Sequence, residues 1–143
     1  MLSDQSSTTA KVTTWLFVES DTASVERLSE LIGLQCDTSR QKGEALEGRP
    51  GIRSNTNLWR LDSRREVADE PHEILRQITS GLQDILGRVS GHEAGFKAAG
   101  ALGRSGLLVG VLAKAAPPII LETGILKTIA DLNVDLEIDL ILE

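Results

Sequence analysis

Apolar positions recur along this chain at two periods, and the switches between them mark out its elements. Residues 13–19 (TTWLFVE) form an apolar run rich in aromatic and β-branched side chains, which predicts a buried strand. Asp21, Thr22 and Ser24 then offer N-cap oxygens, and Val25, Leu28, Leu31 and Ile32 follow at helical spacing. Gly33 stands where a left-handed C-cap belongs. The stretch 35–54 is polar and broken by Gly43, Gly48, Pro50 and Gly51, with weak strand character over 36–42 and then a turn. Residues 57–62 (NLWRLD) alternate. Trp59 and Leu61 share the core-facing side, and Leu58, Arg60 and Asp62 share the other.

Asp69, Glu70 and Pro71 open a long helix, with acids at the positive end of its dipole and proline in the first turn. Ile74, Leu75, Ile78, Leu82, Ile85, Leu86 and Val89 form its apolar stripe, and Gly91 ends it. Gly81 and Gly87 inside the stripe each cost about 1 kcal/mol relative to alanine. Residues 91–106 are rich in glycine and alanine and predict a short helix at most, with Phe96 as a packing residue. Residues 107–113 (LLVGVLA) predict a central strand buried on both faces. Pro117 and Pro118 interrupt it, and residues 119–121 resume as a short strand. Thr123 can cap a last helix carrying Ile125, Leu126, Ile129 and Leu132, closed by Asn133. Residues 134–143 alternate throughout. Val134, Leu136, Ile138, Leu140 and Leu142 face one side; Asp135, Glu137, Asp139, Ile141 and Glu143 face the other.

The resulting order, β-α-β-β-α-β-β-α-β, predicts an α+β fold: an antiparallel or mixed sheet with helices packed mainly on one face. Its first six elements match a ferredoxin-like β-α-β-β-α-β unit, followed by β-α-β. Residues 1–10 are expected to be a disordered lead-in and residues 11–143 a single domain.

The chain has 143 residues, 41% of them hydrophobic and 25% charged, which fits one globular domain. It holds 21 acids against 15 lysines and arginines, a net charge of −6. That balance argues against direct nucleic-acid binding, and so do only two Trp, two Phe and no Tyr. The charge is uneven. Residues 122–143 carry six acids and one base, leaving the rest of the chain near neutral. Cys36 is the only cysteine, so no internal disulfide or cysteine-based zinc site is available. No leader or membrane-spanning run is expected, and the reducing cytoplasm is the default compartment.

Candidate chemistry is sparse. Gly100, Gly103 and Gly106 lack phosphate-loop spacing, and Gly103-Arg104-Ser105-Gly106 leads into a strand rather than a helix. His72 and His92 lie at opposite ends of one predicted helix, about 30 Å apart at 1.5 Å per residue. No nucleophile elbow or paired-histidine zinc motif is present. The expectation is therefore a protein that is not an enzyme, with no catalytic residue, no cofactor and no metal. Asp135, Glu137 and Asp139 fall on one strand face, neighbours about 6.5–7 Å apart. A solvated outer face is the plainest meaning of that row. A docking surface for a basic protein is the alternative, since a row of like charges costs stability. A straight row does not converge on a cation. Arg49, Arg53, Arg60, Arg64 and Arg65 form the main basic cluster, read as a solvated edge guarding the 57–62 strand.

Gln41-Lys42-Gly43-Glu44, followed by Leu58-Trp59-Arg60-Leu61-Asp62-Ser63, resembles the small bacterial proteins of domain-of-unknown-function family 4279. The resemblance runs from the first strand and helix, through the Lys-Gly-Glu turn and the Trp-x-Leu-x-Ser strand, to the acidic terminal strand. The chain departs from the family pattern in two places. Ile138-Asp139-Leu140 carries no aromatic residue in the last strand, and Gln35-Cys36 stands where a proline turn is expected. The family brings no catalytic residues to transfer. What the resemblance implies is a setting beside bacterial polymorphic and contact-dependent toxins, where small acidic immunity proteins occur. The expected function is an immunity-type protein that occludes a cognate toxin domain, itself basic, as a nuclease would be. Asp135, Glu137, Asp139 and Glu143 would carry the contact, with Asp131 on the preceding helix. The alternative is a structural or regulatory homo-oligomer.

Overall fold

In the computed structural model, which describes residues 9–46 and 48–143, burial along the first strand alternates residue by residue. Strand β1 (Thr9–Ser20) buries Ala10, Val12, Thr14, Leu16, Val18 and Ser20 and leaves the odd-numbered side chains on its other face. It lies at the centre of a five-stranded sheet, order β2-β5-β1-β6-β7. The other strands are β2 (Thr38–Arg40), β5 (Asn57–Ala68), β6 (Arg104–Ala113) and β7 (Asp135–Leu142). β5 and β6 flank β1 antiparallel, β2 is antiparallel to β5, and β7 is parallel to β6. A separate two-stranded hairpin, β3 (Ala45–Leu46) and β4 (Arg49–Arg53), fills the polar stretch before β5.

Four helices lie on the face that carries the even-numbered β1 residues: α1 (Val25–Ile32), α2 (Pro71–Val89), α3 (Glu93–Gly100) and α4 (Thr123–Asp131). Their ends follow local chemistry. Ser24 Oγ accepts from the Arg27 N–H to start α1, and Gly33 closes it at φ 82°. The Glu70 carboxylate accepts from the N–H groups of His72 and Glu73 at the start of α2. Asn133 takes φ 56° after α4, as its tolerance of the left-handed region allows. α2 is the main helical partner of β1 and β5, and one continuous core joins Leu16, Trp59, Leu61, Ile78, Leu82 and Phe96. The Trp59 and Phe96 rings meet edge to face at 6.2 Å. No helix of the described residues is long and apolar enough to cross a membrane.

The fold is α+β with a mixed sheet, and it differs from the sequence reading in several places. Thr9 and Ala10 belong to β1, paired with Ala68 and Val67, while the expected lead-in over residues 1–8 lies outside the described residues. Residues 119–121 form no strand: their backbone pairs with none of the described strands. Ile119 and Leu121 pack on the core as side chains only. Thr123 is the first residue of α4 rather than its cap; Glu122 takes the cap position without a side-chain bond. β6 is an interior strand but is buried on one face only, since among the described residues no layer covers the other. The apolar side of β7 is also less covered than alternation implies. Leu136 is half-buried, but Ile138, Leu140 and Leu142 are 38%, 39% and 55% exposed. β7 is the sheet edge, and its helix contact comes from α4.

Candidate binding face on the open side of the sheet

The side of the sheet away from the helices is built by strand register. Opposite Phe17 lie Arg60 on β5 and Gly106 on β6, and Asp135 on β7 follows in the same row. The next row runs Asp62, Trp15, Leu108 and Glu137; the one after runs Arg64, Thr13, Gly110 and Asp139. Side chains of directly paired residues point to the same face, so these rows form one surface.

A cleft of about 400 Å³ opens at its centre, lined among others by Trp15, Phe17, Arg60, Arg104, Asp135 and Glu137. The Arg60 guanidinium lies 4.0 Å over the Trp15 ring, and that of Arg104 lies 5.4 Å over Phe17. Arg60 is anchored by the Asp62 carboxylate, Nε to Oδ1 at 2.5 Å, and Thr38 Oγ1 donates to the other Asp62 oxygen. Gly106 leaves room for the Phe17 ring, whose far end a β-carbon there would meet at 2.7 Å, so a larger residue would have to displace the ring. The Trp15 indole N–H is buried in the cleft wall without a hydrogen-bond partner among the described residues.

Three of the predicted site residues, Asp135, Glu137 and Asp139, stand exposed in one row along the rim of this face. No ion pair among the described residues engages them. Glu143 follows β7, exposed, its N–H donating to the Ala113 carbonyl. Asp131 is not part of the row. It ends α4 and lines a groove between helices with Leu86, Ser90 and Lys97.

The arginine cluster does not form one patch. Arg60 and Arg64 lie on the open face, whereas Arg65 points to the helix side and bonds Gln77 and Asp84 of α2. Arg53 donates to the Gly43 carbonyl within the hairpin region. β5 is an interior strand where β2 pairs with Leu58 to Arg40 and Arg60 to Thr38, so the expected solvated edge begins only beyond that pairing. In the 91–106 segment Gly91 makes a left-handed turn at φ 87°, whereas Gly95 and Gly103 serve packing. A β-carbon on Gly95 would lie 2.1 Å from the Leu31 carbonyl oxygen, and one on Gly103 would lie 2.0 Å from that of Glu19. Motif spacing does not reveal the aromatic-arginine centre of the open face. Its signal is the shared parity of Trp15 and Phe17 in a strand whose even positions are apolar or small.

A family described as Domain of unknown function (DUF4279) matches residues 10–143 of the chain. No curated protein and no solved structure matches it.

Proposed function

This chain belongs to the DUF4279 family, and we propose that it is an immunity-type protein that binds and neutralises a cognate bacterial toxin domain by covering its active surface. The observation that carries the reading is the exposed row Asp135, Glu137 and Asp139, without an ion-pair partner among the described residues, at the rim of an open sheet face. Like charges about 6.5–7 Å apart on one strand face repel, a cost that a cationic partner would offset. A toxin that holds phosphate presents a basic surface, so this rim would steer encounter and compete with nucleic acid. The reading assigns no catalytic step to the chain and places it in the cytoplasm, where the toxin would act. The antiparallel order β2-β5-β1-β6 supports reading the core as ferredoxin-like, with β7 appended in parallel.

The test is the triple charge reversal Asp135→Lys, Glu137→Lys and Asp139→Lys. The partner to assay is the C-terminal domain of any large secreted protein encoded directly upstream. Association should slow by about tenfold or more and lose most of its salt dependence. Cells expressing the toxin should lose protection. A folded triple variant that binds and protects like the parent would show that this face is not the contact.

A further inference from the structure

We propose that the outer edge of β7 accepts one β-strand from its partner, a strand in which lysine or arginine alternates with apolar residues. The proposal rests on the partner-binding reading above and names the piece of the partner that β7 would hold.

β7 is bonded on one side only. Its register with β6 runs from Gly106↔Asp135 to Ala113↔Leu142, and no strand lies on its other side among the described residues. The Glu143 N–H donates to the Ala113 carbonyl at 3.0 Å. Backbone direction alternates along a strand, so odd-numbered residues turn their N–H and C=O groups to β6. Those of Leu136, Ile138, Leu140 and Leu142 therefore point outward. Three common protections of a sheet edge are missing, since the eight residues of β7 contain no proline and no lysine and the register shows no bulge, which leaves its acids as the protection it has. An added strand would continue both faces of the sheet. Its apolar side chains would lie beside Ile138, Leu140 and Leu142, which are 38%, 39% and 55% exposed. Its basic ones would stand across from Asp135, Glu137 and Asp139 at cross-strand distance.

The same pattern selects against a second copy of this chain. Antiparallel pairing sets residues of equal parity opposite each other. Centred on Ile138 it places Glu137 against Asp139. Centred on Asp139 it sets that residue against itself and Asp135 against Glu143. Centred on Leu140 it sets Glu137 against Glu143. Every register close to full overlap opposes carboxylates, which is destabilising. The acids thus hold the edge apart from its own kind and open to a basic strand.

The probe is a synthetic peptide of alternating lysine and valine, about ten residues long to match a typical strand. Its controls are an alternating glutamate-valine peptide and a lysine-valine peptide with the two residue types in separate blocks. The alternating basic peptide should bind and slow amide exchange at Leu136, Ile138, Leu140 and Leu142 by about tenfold or more. The controls should do neither. Leu140→Pro removes one outward donor while leaving the bonds to β6, and should weaken peptide binding by about tenfold. Unchanged exchange at those four amides in the unaltered protein overturns the proposal, whatever the proline variant does. So does equal binding of the block peptide, or a dimer at micromolar concentration whose β7 amides are protected. If the triple lysine variant loses toxin neutralisation and a folded Leu140→Pro variant keeps it, strand addition fails and the acidic-face reading stands.

Discussion

Arg88 holds both oxygens of the Asp37 carboxylate, with Nη1 2.6 Å from Oδ2 and Nη2 2.9 Å from Oδ1. The Asp62 N–H donates to the same Oδ2 at 2.8 Å. One carboxylate therefore joins the last turn of α2 to the segment leading into β2 and to β5. The Arg88 hydrogen bond is the main reason the Asp37 carboxyl is held below its ordinary value of 3.8. Burial opposes this, and the Asp62 N–H adds to it.

The sign of the pH effect follows. A carboxyl with a lowered folded-state pKa adds stability that is fully present above its unfolded value and is lost as pH falls through the folded one. Both side chains are partly exposed, so Asp37→Asn should cost about 1 kcal/mol or less at pH 7. Urea titrations at a series of pH values should show the gap between parent and variant narrowing once pH drops below 3.8. A gap that persists unchanged to the acid end would mean the ion pair is not its source.

Two glycines in neighbouring helices should respond to alanine with opposite signs. Gly95 of α3 packs against the backbone of α1, where a β-carbon would lie 2.1 Å from the Leu31 oxygen. The carbonyl cannot move aside without shifting the helix, so Gly95→Ala should cost about 2 kcal/mol or more. Gly87 of α2 is exposed, with nothing within 4 Å of its would-be β-carbon. Gly87→Ala should therefore stabilise by roughly 0.5–1 kcal/mol through helix propensity. Thermal melts of the two variants check both signs at once.

Periodicity carried these elements well where one face met the core and the other met water. The α2 stripe, the α1 cap at Gly33 and the anchoring role of Trp59 all follow from spacing and residue type. It failed where the deciding fact was the neighbour. Strand β5 runs on to Ala68 because β1 pairs with it that far, although Arg64, Arg65 and Glu66 look like a loop. An isolated apolar triplet such as 119–121 cannot tell a strand from a packed connection. Of the candidate site, the acidic row was legible from the strand period alone. The separation of Asp131 was not, because only the tertiary arrangement puts α4 on the opposite side of the sheet.

Phe96 is fully buried in the segment that sequence pattern describes least well, and it meets Trp59, whose indole N–H donates to the Leu34 carbonyl at 3.3 Å. Phe96→Ala removes a whole ring from between α3 and the sheet and should cost about 3–5 kcal/mol. Phe96→Leu keeps much of the volume and should cost less than half of that. Denaturant midpoints at constant slope would test the ranking. Equal losses in the two variants would mean that the ring contact, not the volume, holds α3 in place.

The Arg60–Asp62 pair allows a sharper test of the open face. Its side chains are only 13% and 16% exposed, and Arg60 also covers the Trp15 ring. Removing one partner leaves a poorly hydrated charge behind, whereas removing both does not. Asp62→Ala should thus cost about 3 kcal/mol, and the double variant Arg60→Met with Asp62→Ala should recover part of that loss. Arg60→Ala should also expose the Trp15 ring to water and shift its emission to the red, while Trp59 stays buried in the core. If the two single losses simply add and emission does not move, the guanidinium neither pairs with Asp62 nor shields Trp15 in solution.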